Sequence, residues 1–235
     1  MNIALFGYGK MGRMLEQIGT QRGHNIVAKI DVDTNLEELD YSAIDVAIDF
    51  STPDAAFGNI THCFNKGIPV ISGTTGWLAK YEEAVALCNE KKGAFIYGSN
   101  FSLGVNLFFE LNKKLAKLMA NVQDYKVHME EIHHIHKIDA PSGTAITLAE
   151  GIIENSSYVN WKLVAPTENE IGITAIREGE VPGTHSIAYH SDVDSIEIKH
   201  TAHNRNGFAL GAIIAAEWLV GKTGVYSMKD VLNLS

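Results

Sequence analysis

The 235-residue chain has few cysteines and few prolines, two and five respectively. Cys63 and Cys88 make no CxxC spacing and no disulfide framework. Both lie in apolar-periodic segments, so they read as buried free thiols. So few prolines exclude Pro-rich and collagen-like sequence. No stretch approaches the roughly 18 uninterrupted apolar residues of a membrane span. The opening Met1-Asn2-Ile3-Ala4-Leu5-Phe6 lacks the basic region of a signal peptide. A reducing cytoplasmic location is the expectation. Positive charge is scarce too: 19 Lys and Arg stand against 28 Asp and Glu, a formal net charge of −9. Lys91-Lys92 and Lys113-Lys114 are isolated pairs, so the basic stripe that nucleic-acid phosphates demand is missing. Neither nucleic acid nor membrane is expected as a partner. A single nucleotide, bound by local groups, is not excluded.

What is present is an ordinary globular composition, 46% apolar and 20% charged, far from that of a disordered chain. Apolar runs at Ile3–Phe6, Ile26–Ile30, Val46–Phe50, Val70-Ile71 and Ala94–Tyr97 read as strands. Helical periodicity fills Lys10–Gln21, Pro53 to about Asn65, and about Leu78 to Glu90. Strands alternating with helices predict βαβ units and a parallel sheet with right-handed crossovers, an α/β domain over 1–101. The pattern then changes. Helices are predicted over Val105–Met119 and Ala145–Ile153, and a strand over Tyr125–Ile132. Glu170–Arg177, Thr184–Tyr189 and Ser195–Thr201 follow as strands without helices between them. That grouping predicts a mainly antiparallel sheet in an α+β domain over 102–204. The apolar helix Ala209–Val220 is expected to return, with 205–235, to the first domain.

Gly7-Tyr8-Gly9-Lys10-Met11-Gly12 is a GxGxxG between a strand and a helix. Its glycines suit a tight turn, a close backbone approach to a pyrophosphate, and close helix–strand packing. The helix N-terminus offers unpaired N–H groups to phosphate. Asp31 closes the next strand, placed to bind the adenosine ribose hydroxyls. Val32 follows it and no Arg stands beside it, so NADH is expected over NADPH. Lys10 or Arg13 would compensate a 2′-phosphate only in part. Ser72-Gly73-Thr74-Thr75-Gly76 and Gly98-Ser99-Asn100-Phe101 follow the fourth and fifth strands. Their small and hydroxylated residues suit either a nicotinamide ribose and carboxamide or ordinary βα turns.

Eight of the ten histidines lie after residue 127. Three fall in Glu131-Ile132-His133-His134-Ile135-His136-Lys137-Ile138-Asp139-Ala140-Pro141-Ser142-Gly143-Thr144. Three readings stand. Zinc is disfavoured because neighbouring His133 and His134 diverge on a strand and Lys137 adds like charge. An acid and anion site would use His as proton donor and Lys137 as a fixed cation. The helix start at Pro141-Ser142-Gly143-Thr144 would then form a second anion seat. A solvated histidine-rich loop is the third.

GYGKMGR, SGTTG, NFSLGVN and above all EIHHIHKIDAPSGTA resemble the 4-hydroxy-tetrahydrodipicolinate (dihydrodipicolinate) reductase family over nearly the whole chain. The resemblance implies a Rossmann domain followed by an α+β domain that binds substrate and builds a homotetramer. It implies NAD(P)H-dependent reduction of a cyclic dicarboxylate, 4-hydroxy-tetrahydrodipicolinate, with loss of water, in diaminopimelate and lysine biosynthesis. His133 would be the proton donor/acceptor and Lys137 a second proton donor. His134, Gly143 and Thr144 would hold the substrate carboxylates. Gly7 to Gly12, Asp31, Gly73 to Thr75 and Gly98 to Phe101 would hold the cofactor, with no resident metal. The chain departs from the family in an abbreviated stretch from Asp31 to Asp45, which implies a crossover without a full helix. It also has Ile135 where a basic residue is common. Arg205 either faces the cofactor or pairs with an acid. Competing readings are another two-domain nicotinamide oxidoreductase, such as an amino-acid dehydrogenase, and a non-catalytic NAD sensor. The Pro141–Ala145 helix start disfavours the first; the retained His133 and Lys137 disfavour the second.

Overall fold

The structure, a computed structural model, describes residues 1–122 and 124–234. In chain order its elements are β1 (Asn2–Phe6), α1 (Lys10–Gln21), β2 (Asn25–Ile30), β3 (Val46–Asp49), α2 (Pro53–Asn65), β4 (Val70–Ser72), α3 (Tyr81–Glu90) and β5 (Ala94–Tyr97). There follow α4 (Leu103–Met119), β6 (Lys126–His133), α5 (Gly143–Ile153), β7 (Asn160–Lys162), β8 (Glu170–Arg177), β9 (Thr184–His190) and β10 (Ser195–Thr201). The chain closes with α6 (Asn206–Leu219), β11 (Gly224–Tyr226) and α7 (Met228–Val231). Two compact units result: Met1–Leu103 together with the segment from Asn206 onward, and Gly104–Arg205.

The first unit holds a sheet ordered β11-β5-β4-β3-β1-β2, parallel throughout. Its inner strands β1, β3, β4 and β5 are buried on both faces, as helices on both sides require. The two-residue alternation sends Ile3, Leu5 and Ile48 toward α6, where they pack with Ile213 and Leu219. Ala4, Phe6 and Ala47 face the other way, toward Ile60 and Phe64 of α2. Cys63 and Cys88 are free and buried in that second layer, as the sequence implied. Between β2 and β3 two single 3₁₀ turns, Leu36–Glu38 and Tyr41–Ala43, stand in for a crossover helix, also as expected. Because β1 lies between β2 and β3, the connections diverge there. A crevice therefore opens beyond the carboxyl ends of β1 and β3.

The second unit holds a sheet ordered β10-β9-β6-β8-β7. β9 runs antiparallel to β10 and β6, but β8 runs parallel to both β6 and β7. The expected mainly antiparallel sheet is thus corrected to a mixed one. The helix α5 separates β6 from β7 and β8, and a helical crossover brings the chain back in the same direction. The elements β7, β11 and α7 were not anticipated, because three or four residues carry too little periodicity to read. Along β6 burial alternates, so Val127, Met129, Glu131 and His133 all lie on the covered face. The first two pack with Phe108, Leu148 and Ile152 of α4 and α5. Among the described residues no helix is long and apolar enough to cross a membrane.

Candidate active site

In the first unit the β1–α1 turn is shaped by contact. Gly7 has φ +90°, and a Cβ on it would meet Phe50 O at 2.2 Å. A Cβ on Gly12 would meet Gly7 O at 2.3 Å, so only glycine lets α1 start this close to β1. At Gly9 a Cβ would meet nothing within 4 Å. Gly9 is also the N-cap of α1 and brings no side chain to its first-turn N–H groups. Tight packing at two glycines and open space at the third is what a pyrophosphate seat needs. A cavity of about 430 Å³ extends from this turn, lined by Gly7, Tyr8, Gly9, Asp31, Phe50, Ser51 and Asn59 among others. Asp31 is exposed at the end of β2, where its Oδ1 accepts the Val32 N–H at 3.0 Å. The Tyr8 hydroxyl donates to Glu16, which also pairs with Lys29 at 2.6 Å.

Beside this cavity a smaller hollow of about 230 Å³ is lined by Met11, Phe50, Ser51, Pro53, Gly73, Thr74 and Thr75. The β4–α3 loop is thereby brought next to the GxGxxG turn. The Gly98–Phe101 segment is placed differently. Gly98 N–H donates to Ser72 O at 3.1 Å, tying the segment to the end of β4. Phe101 is only 1% exposed, with its ring 6.0 Å from that of Phe50. Its side chain is core. Lys10 is exposed and lines neither hollow, and the Arg13 guanidinium lies over the Tyr8 ring at 5.4 Å.

In the second unit His133 ends β6, almost buried, its ring 5.1 Å from that of His185. His133 Nδ1 lies 3.7 Å from Glu131 Oε2, and among the described residues no hydrogen bond reaches it. A Cβ on Gly183 would sit 3.2 Å from His133 Nε2, so the imidazole edge passes close over backbone. Glu131 is fully buried. It accepts the Ser142 N–H at 2.9 Å and an Arg177 N–H at 3.1 Å. His185 Nε2 lies 3.7 Å from the same carboxylate and 3.1 Å from Ser142 Oγ. Burial alone would raise the Glu131 carboxyl, but His185, Ser142 and His133 outweigh it and hold the group at about 2. Burial depresses His133 to about 4; Glu131 opposes this, while His185, Lys137 and Arg177 add to it.

The loop after His133 turns back on itself, with Lys137 N–H donating to His134 O at 3.1 Å. Lys137 Nζ donates to both carboxylate oxygens of Asp139 at 2.8 Å. His134 Nε2 faces Arg205 at 3.3 Å, so Arg205 meets an imidazole here, not the acid that the sequence suggested. Ser142 caps α5 by accepting the Ala145 N–H at 3.2 Å. Gly143, exposed, and Thr144, half-buried, open that helix.

Sequence reasoning missed the network beside His133, in which Arg177, His185 and Ser142 surround the Glu131 carboxylate. A signal existed for Glu131, which is two residues from His133 and so on its face of the strand. Arg177 and His185 arrive through pairing with β8 and β9 and had no local signal. Donor atoms of Glu131, His133 and His185 lie within 4.8 Å of one another, a set that zinc accepts. Here the carboxylate already receives an amide and a guanidinium, so the group is a hydrogen-bonded charge network.

The family model for the dihydrodipicolinate reductase N-terminus matches residues 1–101, and that for its C-terminus matches residues 104–232. The chain belongs to the dihydrodipicolinate reductase family. It is 58% identical to the 4-hydroxy-tetrahydrodipicolinate reductase of Christiangramia forsetii, over 99% of this chain and 98% of that one. It is 37% identical to the same enzyme of Rickettsia rickettsii over the full length of both. Its fold matches that of the dipicolinate-bound dihydrodipicolinate reductase from Paenisporosarcina sp. TG-14, with TM-score 0.80 and 23% identity over 97% of each chain. The chain is therefore an NAD(P)H-dependent oxidoreductase with a small-molecule substrate. It reduces 4-hydroxy-tetrahydrodipicolinate to tetrahydrodipicolinate with loss of water, a step of diaminopimelate and lysine biosynthesis.

Proposed function

We propose that His133 and Lys137 are the proton-handling groups of this reduction, and that His134, Gly143 and Thr144 hold the substrate carboxylates. Reduced nicotinamide, when bound, supplies the hydride. Hydride addition to a conjugated imine leaves an enamine-like carbanion that must take a proton, and a histidine suits that step. The observation that carries the reading is the burial of His133 on Glu131, beside a capped helix start that can receive an anion. The free imidazole, held at about 4, is neutral at pH 7. Two substrate carboxylates beside it favour the charged form, so substrate binding itself loads the proton. Lys137, now paired with Asp139, exchanges that partner for a substrate carboxylate.

Lys137→Ala is expected to lower kcat and raise KM for the dicarboxylate together, by about 10-fold or more in kcat/KM. Steady-state assays with freshly generated substrate read this. An unchanged kcat/KM would remove Lys137 from the site.

The cofactor lies, in this reading, along Gly7, Tyr8, Gly9, Lys10, Met11, Gly12 and Asp31, and reaches Gly73, Thr74, Thr75 and the Gly98–Phe101 backbone. NADH is the preferred form. The Asp31 carboxylate would meet a 2′-phosphate directly, and the nearby Lys29 is already paired with Glu16. KM for NADPH is expected to exceed that for NADH by about 10-fold, equivalent to roughly 1.4 kcal/mol. Equal or tighter use of NADPH would reverse the assignment. The working form is a homotetramer in the cytoplasm. The dipicolinate held by the Paenisporosarcina relative is a planar dicarboxylate of the kind proposed for this site.

A further inference from the structure

Asp49, the last residue of β3, is 1% exposed, and burial pushes its carboxyl upward while four hydrogen bonds oppose the shift. A carboxylate removed from water must be satisfied locally. Ser51 Oγ donates to Oδ1 at 2.6 Å and Asn59 Nδ2 at 3.1 Å. Ser72 Oγ donates to Oδ2 at 3.0 Å and Thr74 Oγ1 at 2.7 Å. These donors come from the end of β4, from two separate strand-to-helix loops and from α2. One carboxylate thus gathers the carboxyl edge of the sheet at β3 and β4.

The arrangement also sets polarity. A hydroxyl has a single proton, and here each is directed at Asp49. Thr74 Oγ1 in addition accepts the Ser51 N–H at 2.9 Å, and Ser51 Oγ accepts from Asn59 at 3.1 Å. Toward a ligand, the Ser51 and Thr74 hydroxyls therefore offer lone pairs only. Both line the hollow next to the GxGxxG turn. Acceptors backed by a buried negative charge suit amide and ribose hydroxyl donors and repel phosphate. Phosphate is served at the α1 N-terminus instead.

We propose that Asp49 is the positioning residue for the nicotinamide half of the cofactor, fixing the Ser51 and Thr74 loops and making their hydroxyls acceptors. This rests on the cofactor assignment above. In Asp49→Asn the amide accepts fewer of the four donors and itself donates, so the hydroxyls must reorient.

The test is fluorescence titration of the full chain with NADH, and competition by AMP, which reaches the adenosine half alone. The expected result is NADH Kd raised about 10-fold or more, with AMP binding within about twofold of wild type. A folded Asp49→Asn that binds NADH like wild type would overturn the proposal. So would equal weakening of NADH and AMP, the mark of a purely structural role. Should Asp49→Asn fail to fold, Thr74→Val is read on the same two ligands by the same criteria. Wild type binding AMP but neither NADH nor NADPH would instead reject the cofactor assignment itself, and the proposal with it.

Discussion

Replacing His133 with Gln is expected to lower kcat by about 10²–10⁴-fold, the range for losing a general acid. The variant should also lose the alkaline limb of the wild-type kcat profile, since a proton donor stops working as pH rises through its bound-state pKa. Stability changes in the opposite sense. Folding depresses His133 from 6.5 to about 4. The unfolded chain therefore binds the proton first as pH falls. The stability linked to this group is complete above about pH 6.5 and declines toward pH 4, by on the order of 3 kcal/mol. His133→Gln should unfold with a flatter pH dependence across that window, read as Tm against pH. An unchanged kcat would reject His133 as the proton donor; a wild-type acid slope would reject the buried neutral imidazole.

The second large effect is expected at Glu131. Glu131→Gln keeps the shape but leaves Arg177 facing an amide and removes the carboxylate beside His133. Breaking a buried pair from one side costs about 3–5 kcal/mol. With the Arg177 side chain 21% exposed, the lower end of that range is expected, about 3 kcal/mol at pH 7. Folding holds the Glu131 carboxyl at about 2 against an ordinary 4.5, so its contribution is present above pH 4.5 and lost as pH falls toward 2. The gap in stability between wild type and variant should narrow across that window. Denaturant unfolding at pH 7 and at pH 3 reads both points. A variant as stable as wild type at pH 7 would show that the network contributes nothing to folding. Its kcat should fall as well, because His133 loses the group that faces its Nδ1.

The site was legible in unequal measure. The GxGxxG turn, Asp31 and the run from His133 to Thr144 are contiguous or nearly so, and their chemistry is carried by neighbours in the chain. Glu131 was half legible: strand periodicity alone puts it on the His133 face, yet nothing in KVHMEEIHH says that this face is the covered one. Phe101 shows the converse. Its loop position suggested a cofactor contact, and its ring packs as core against Phe50, which leaves only its backbone for that role, because an aromatic ring at a sheet end is drawn to whatever apolar surface the fold provides.

Local rules act over a few residues: steric limits on φ, the two-residue repeat of a strand, the capping of a helix. They were enough to establish the Rossmann turn, the parallel first sheet and the order of nearly every element. Strand partnership is decided over distances that those rules do not span. The parallel seating of β8 against β6 delivers Arg177, and the antiparallel seating of β9 delivers His185, each more than 40 residues from the carboxylate they surround. That choice is made by burying apolar faces and satisfying backbone across the whole sheet, so the charge environment of His133 exists only once the chain has folded.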